Sequence, residues 1–460
     1  LPPITARHEP RRHSPGYQEI PMHACPSGTS RTRQVAAAVI GNALEWYDFI
    51  VYGFLSSLIA RLFFPSGDEY TSLLMALATF GVGFFMRPVG GVLLGLYADR
   101  RGRKAAMQLI ILLMTLSIAM IAFAPTYAAI GVGAPLLIVI ARMLQGFATG
   151  GEYASATAFL VESAPPHRRG LYGSWQLFGQ CLAVFAGAGM GALVTHCLDA
   201  ESLESWGWRV PFLFGLLIGP VGLWIRRYMG ETEAFLEAIR EPGERQGLLC
   251  VLREYRRSVL VSMGLTVIGT VSFYGVLVNM PTFAHNRLGL PLDEVFMVQM
   301  AAVALMTLVI PLAGGLSDRV GRRPVLLVAT LAFMLMVYPL FAWVAAAPSL
   351  GRLLLMQLLL CTAIGGFFGP APTAVAEQFP VRVRSTGLAV AYNLAVMLFG
   401  GFAPFIVTWL TEVGGSPVAP AFYVLGAAFL GLLATLYLRE GATPAPRPRE
   451  PALGKPARSL

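Results

Sequence analysis

The stretch Gly95-Leu-Tyr-Ala-Asp99-Arg100-Arg101-Gly102-Arg103-Lys104 decides how this chain is read. It comes back as Gly314-Gly-Leu-Ser-Asp318-Arg319-Val320-Gly321-Arg322-Arg323. Each copy follows one long apolar run and precedes another. Each sets one acid and then a cluster of bases in a connection too short to form a domain. An internal repeat at this separation divides the chain into two similar halves that run in the same direction.

The surroundings of the repeat set the class. The chain has 460 residues, 56% hydrophobic and only 13% charged, with a mean hydropathy of +0.64. A soluble protein of this length carries far more charge. Apolar runs of about 20 residues recur, and about 20 residues span a bilayer as a helix. The five cysteines show no CxxC spacing, so neither a disulfide framework nor a metal cluster is indicated. A G-x-S-x-G elbow and a G-x-x-x-x-G-K-[ST] phosphate loop are also missing, which argues against a hydrolase and against an ATP-driven pump.

Twelve helices are expected: 35–60, 71–97, 105–125, 134–162, 171–195, 209–228, 258–283, 294–316, 325–346, 352–376, 387–411 and 419–438. The expected division is a disordered tail 1–33, a six-helix bundle 34–228, a linker 229–257, a second six-helix bundle 258–438 and a disordered tail 439–460. The first tail is rich in Pro, Arg and Ser without an apolar core, so it is not a signal peptide. The sequence leaves open whether the start is Leu1 or Met22. The linker mixes Glu and Arg with apolar residues, as short helices at a membrane surface do. Arg61, Arg209, Arg287 and Arg352 fall on one side of the membrane, and the other loop bases on the opposite side. Positive charge marks the cytoplasm, so both termini are expected there. The net charge of +9 is then topology and attraction to anionic lipid, not a nucleic-acid surface. The pairs Gly91 and Gly95, Gly146 and Gly150, and Gly187 and Gly191 lie four apart, as in close helix contacts in lipid.

Five ionisable residues break the apolar runs: Glu45, Asp48, Arg87, Arg142 and Glu152. Each costs roughly 2.5–3.5 kcal/mol near the bilayer centre even on a lenient scale. They must pair with one another or face a wet cavity. Glu45 and Asp48 are expected on one face of helix 1, near the midplane, and Arg142 and Gln145 on one face of helix 4. A carboxylate there can exchange a proton, and a guanidinium beside it can instead hold an anion by a two-pronged hydrogen bond. A proton on Asp48 or Glu152 would release an arginine for an anionic substrate. The alternative is a fixed ion-pair network that only sets helix register. The second half offers polar groups without buried charge: Tyr274, Asn279, Gln299, Gln357, Tyr392 and Asn393. Each could bond a substrate or simply join two helices. His285 reads as a solvated loop residue.

With these residues in view, the G-x-x-x-D-R-x-G-R-[KR] loop resembles the signature loop of the major facilitator superfamily. Two copies in register make that resemblance strong. Asn42-Ala-Leu-Glu-Trp-Tyr-Asp-Phe-Ile-Val-Tyr-Gly53 and Arg142-Met-Leu-Gln-Gly-Phe-Ala-Thr-Gly-Gly-Glu152 resemble helices 1 and 4 of its metabolite–proton symporter family. Arg169-Gly-Leu-Tyr-Gly-Ser-Trp175, Trp206-Gly-Trp-Arg-Val-Pro-Phe212 and Phe379-Pro-Val-Arg-Val-Arg-Ser-Thr-Gly387 match at the expected places, and the likeness covers about residues 35–438. Tyr153-Ala-Ser-Ala156 departs from the small-residue run usual after the Gly-Gly-Glu.

The resemblance implies an all-α membrane protein of the major facilitator fold, with twelve transmembrane helices in two six-helix bundles. It implies a monomeric, multi-pass proton symporter in a bacterial inner membrane, working by alternating access on a small molecule, with no cofactor and no enzymatic activity. The paired arginines lean towards a carboxylate such as citrate. Shikimate, proline or betaine remain open as substrates, as do an exporter and a non-transporting receptor of the same fold. On this reading Glu45, Asp48 and Glu152 couple protons. Arg87, Arg142, Gln145, Tyr274, Asn279, Tyr392 and Asn393 bind substrate. Gly95, Asp99, Arg100, Arg103, Asp318, Arg319 and Arg322 form a cytoplasmic gate, in which the acid can bond free N–H groups at a helix start or arginines across the seam between the halves.

Overall fold

The computed structural model describes residues 31–101, 103–227, 252–380 and 383–440. Nearly all of the expected tails and of the linker lie outside the described residues. The rest is helical and groups into twelve segments. α1 runs Arg31–Phe54 and, after a break at Leu55, continues as Ser56–Phe63. α2 is Glu69–Arg101, α3 is Arg103–Ala122, and α4 is Gly133–Thr149 continued by Glu152–Glu162. α5 is Arg169–Cys197, and α6 is Arg209–Gly215 with Ile218–Arg227. The second half repeats the pattern. α7 is Arg256–Val271, Ser272–Val278 and Met280–Leu288; α8 is Leu292–Val320; α9 is Arg322–Ala346. α10 is Leu350–Phe368 with Ala371–Ala376; α11 is Arg384–Ala395, Val396–Gly400 and Ala403–Val413; α12 is Ala419–Leu436.

Among the described residues ten helices are long and apolar enough to cross a membrane, and Gln108–Ala122 is a shorter apolar helix. The remaining segment, α1, is interrupted by Glu45, Asp48 and Arg61. Large apolar side chains such as Leu116, Leu260, Leu308, Leu312, Val328 and Leu335 face outward, as lipid-facing positions do.

The helix pairs repeat between halves. α2 packs on α4 as α8 packs on α10; α1 packs on α5 as α7 on α11; α3 packs on α6 as α9 on α12. The seam between halves is carried chiefly by α5 against α8, with α2 against α11 and α1 against α7.

The segments bend where the sequence expects continuous helices. In α7 the N–H of Asn279 bonds the carbonyl of Tyr274, five residues back. In α11 the N–H of Gly401 bonds the carbonyl of Val396, with the same offset. Such π turns reset the helical phase, and they gather at functional sites. In α4 the helix breaks at Gly150 and Gly151, just before Glu152. Outside the membrane, Asp68 opens α2. Its carboxylate accepts the hydroxyl and N–H of Thr71, which hold it below the usual carboxylate range.

The α2–α4 contact has no room for side chains. A Cβ at Gly146 would lie 1.7 Å from the carbonyl oxygen of Gly83, and one at Gly150 would lie 2.0 Å from that of Arg87. A Cβ at Gly91 would lie 3.1 Å from the carbonyl oxygen of Gly150. Gly187 and Gly191 differ from the backbone-to-backbone expectation. They admit side chains instead: Ile50 and Phe54 at Gly187, and Phe296, from the other half, at Gly191. Gly95 lies on α2, but its surroundings are outside the described ones.

Candidate functional site

The five intramembrane charges separate into two groups. Glu45, Arg87 and Glu152 line one narrow cleft together with Asn42, Trp46, Phe49, Thr149 and Tyr153. Asp48 belongs to the other group. Although it lies three residues from Glu45, its carboxylate turns away from that cleft. Its Oδ2 accepts a hydrogen bond from Gln145 Nε2, and Gln145 Oε1 accepts one from Arg142 Nη1. Its Oδ1 has no hydrogen-bond partner and lies against Gly215, beside the break in α6. Asp48, Arg142 and Gln145 are fully buried.

Phe49 stands between the groups. The Arg87 guanidinium lies 5.0 Å from its ring centroid and the Arg142 guanidinium 4.6 Å. Arg87 also sits 5.1 Å from the Trp46 ring and 4.4 Å from Phe84. Arg142 sits 4.6 Å from Tyr52 and 5.0 Å from Phe80. Each cation is thus wrapped in aromatic faces, which offset part of the cost of removing it from water. Hydrogen bonding is less complete: Arg87 Nε, Arg142 Nε and Arg142 Nη2 have no partner. The spacing in the sequence is simple. Trp46 and Phe49 each directly follow an acid of α1, Glu45 and Asp48.

The second half closes the site from the opposite wall. Tyr274 packs edge-on against Phe80 and Phe84, within electrostatic reach of both guanidiniums. It lies in the π stretch of α7. Asn279, at the end of that stretch, is buried with Oδ1 unpartnered. Tyr392 stacks on Tyr153 across the seam, with centroids 3.6 Å apart. Asn393 Nδ2 donates to the carbonyl of Gly150 at 2.6 Å. That bond joins α11 to α4 at the close glycine contact. Gln357 Nε2 approaches Gln299 Oε1 at 3.4 Å within the second half, and His285 is exposed.

Contacts cross the seam at both ends. At the end that holds the duplicated loops, the N–H groups of Gly170 and Leu171 donate to Asp318 at 2.8 and 2.9 Å. These are the first turn of α5, so a carboxylate of one half caps a helix of the other. Arg322 Nη1 donates to Asp318 at 2.7 Å and its Nη2 approaches Glu377 at 3.4 Å. Arg384 donates to Glu162 at 3.0 Å. Arg319 is exposed and apart from this cluster. Asp99, Arg100 and Arg103 have described helical backbone, but their side chains lie outside the described ones. At the far end Phe296 fills the notch at Gly191 and packs edge-on against Phe54, and Val278 faces Gly53. Ser56 and Thr282 share a hydrogen bond of 3.1 Å there.

The chain as a whole is similar to known proteins. Residues 34–245 match the family model described as Sugar (and other) transporter, and residues 294–459 match Major Facilitator Superfamily. A citrate-proton symporter of Klebsiella pneumoniae is 37% identical, over 90% of this chain and 93% of that protein. The chain belongs to the major facilitator superfamily, in its metabolite–proton symporter family. A second relative in that superfamily, a proline/betaine transporter of Salmonella typhimurium, is 34% identical over 90% of this chain and 86% of its own length. The crystal structure of a D-xylose-proton symporter has a TM-score of 0.69 at 19% identity, covering 88% of this chain and 96% of that one. This major facilitator fold is therefore shared far beyond recognisable sequence.

Proposed function

We propose that this protein imports a small organic acid, citrate-like in carrying several carboxylates, together with protons, by alternating access around the chamber between α1, α2, α4, α7 and α11. One observation carries the reading: two buried guanidiniums with unpartnered N–H groups stand beside a cleft walled by two carboxylates. A substrate carboxylate can take the unpartnered Nε–H of Arg87 on the cleft wall, with Arg142 one aromatic ring deeper. Asp48, Glu45 and Glu152 are the acids that take protons, and Tyr274, Asn279, Tyr392 and Asn393 complete the substrate's surroundings. The chain divides into bundles at 34–228 and 258–438, joined by 229–257. Asp99, Arg100, Arg103, Asp318 and Arg322 belong to the gate at the loop end. The bacterial relatives and the distribution of Lys and Arg support an inner-membrane location with cytoplasmic termini. The work is transport driven by a proton gradient, without cofactor or enzymatic chemistry.

A second reading has support of its own. The proline/betaine relatives are nearly as similar, and aromatic faces are what recognises a quaternary ammonium. Against it, the faces of Trp46, Phe49 and Phe84 are already occupied by Arg87. Uptake into liposomes with and without an inward pH gradient tests the proposal, using citrate, tricarballylate, shikimate, proline and betaine. Gradient-driven uptake of citrate or tricarballylate supports it. Uptake of betaine alone would replace it with the second reading, and uptake of none would leave a receptor.

A further inference from the structure

We propose that Gln145 converts a proton on Asp48 into a change at Arg142, by turning over its side-chain amide. This rests on the reading of Asp48 as a coupling acid. The amide bridges the two: Nε2 donates to Asp48 Oδ2 and Oε1 accepts from Arg142 Nη1. An ionised carboxylate only accepts and a guanidinium only donates, so one amide orientation alone satisfies both neighbours.

Protonation reverses one of those demands. A proton on Asp48 Oδ1 would find no acceptor, because that atom is buried against Gly215 without a partner. A buried O–H left without an acceptor is costly. A proton on Oδ2 points at Gln145, and the amide answers it by presenting Oε1. The same turn brings Nε2 to face Arg142 Nη1, donor against donor. Arg142 already has Nε and Nη2 unpartnered, and it now loses Gln145 as well. Its guanidinium is released towards an anion in the chamber. The only bond made is the O–H bond on Asp48. Arg142 keeps its proton throughout, and loss of the Asp48 proton restores the first orientation.

The surrounding groups favour a local relay. On its own helix Asp48 has Tyr47 beside it, but the Tyr47 hydroxyl is committed to the carbonyl of Pro211 at 3.2 Å. α6 presents Gly215. α4 presents Gln145 and Arg142, and around Arg142 stand Tyr52 from α1, Tyr274 from α7 and Arg87 from α2. Asp48 and Arg142 feel each other's charge through space but form no direct ion pair among the described residues, so the hydrogen-bonded path between them runs through the amide.

Two measurements on the full-length purified protein test the relay. In the first, citrate affinity is followed from pH 5.5 to 8. The wild type is expected to tighten about tenfold per pH unit as Asp48 takes its proton, and Gln145→Leu less than twofold. If Asp48→Asn keeps the wild-type slope, the coupling reading of Asp48 fails, and the relay with it. If Asp48→Asn flattens the slope while Gln145→Leu keeps it, the relay alone is overturned. The second measurement needs neither a variant at 145 nor a substrate. Infrared difference spectra on acidification are recorded with side-chain 13C-labelled glutamine, in wild type and in Asp48→Asn. A glutamine amide band that shifts together with the Asp48 carboxyl band, and is still in the variant, supports the relay. A protonated Asp48 with an unshifted glutamine band overturns it.

Discussion

At the scale of the residue, Arg87 is held by faces and not by a full set of hydrogen bonds. Trp46, Phe49 and Phe84 surround its guanidinium while Nε stays unpartnered. Lysine at this position keeps the charge and loses the planar fork that bonds a carboxylate twice. Arg87→Lys is expected to weaken citrate binding about 10–100-fold, since a hydrogen bond to a charged group is worth roughly 1.5–3 kcal/mol. Isothermal titration would show it, and unchanged affinity would take Arg87 out of the binding site. The presence of five ionisable side chains at membrane depth was legible from hydropathy alone. Their partners were not. Glu45 and Asp48 are three residues apart and look equivalent in sequence, yet only Glu45 lines the cleft. What separates them is Phe49 on one side and the notch at Gly215 on the other, and the notch is set by α6, more than 160 residues away in the chain.

At the scale of the element, the glycines of α4 allow two backbones to touch. Gly146 and the neighbouring Gly151 make a useful pair, because a Cβ at Gly151 meets nothing within 4 Å. Gly146→Ala is expected to cost about 1–3 kcal/mol through overpacking, whereas Gly151→Ala should be nearly silent. Thermal unfolding in detergent compares them, and equal melting temperatures would contradict the packing described. The latch at the loop end makes a second prediction. Asp318 caps α5 with both carboxylate oxygens, and an asparagine can match only one of the two N–H groups. Asp318→Asn should therefore let that end open about tenfold more often, which corresponds to roughly 1.4 kcal/mol. A cysteine placed by Ser174→Cys, in a background without other cysteines, lies buried beneath the latch and should label faster in the variant. Equal rates would deny Asp318 the role of a latch. The sequence suggested that the loop acid would bond a helix start or arginines across the seam; Asp318 caps a helix start of the other half, but the arginine it bonds, Arg322, is in its own half. The breaks in α7 and α11 were not legible. Ser272–Val278 reads as an ordinary apolar helix, and its π turn follows from packing that no local propensity encodes.

At the scale of the whole molecule, the order of helices and the two-bundle plan were legible, because lipid requires continuous apolar helices and the loops carry the repeat. Substrate identity was not, and similarity leaves it open: a citrate-proton symporter is 37% and a proline/betaine transporter 34% identical to this chain. Ligand-induced stabilisation of the intact protein addresses this directly. A substrate at 100 times its dissociation constant stabilises by about 2.7 kcal/mol. A thermal-shift screen is expected to place citrate or tricarballylate above shikimate, proline and betaine. The reverse ranking would move the reading to osmolyte uptake.

The two ends of the seam are also fastened by unlike chemistry. One end holds by carboxylates on N–H groups and arginines, while the other holds largely by Phe296 and Val278 in their notches. Apolar association, entropy-driven near room temperature, weakens on cooling. With the loop end cytoplasmic, as proposed, chilling should loosen the apolar end more than the loop end and gather a cold preparation in the outward-facing form. Quenching of a fluorophore at the periplasmic mouth, followed from 5 to 35 °C, should fall as the sample warms.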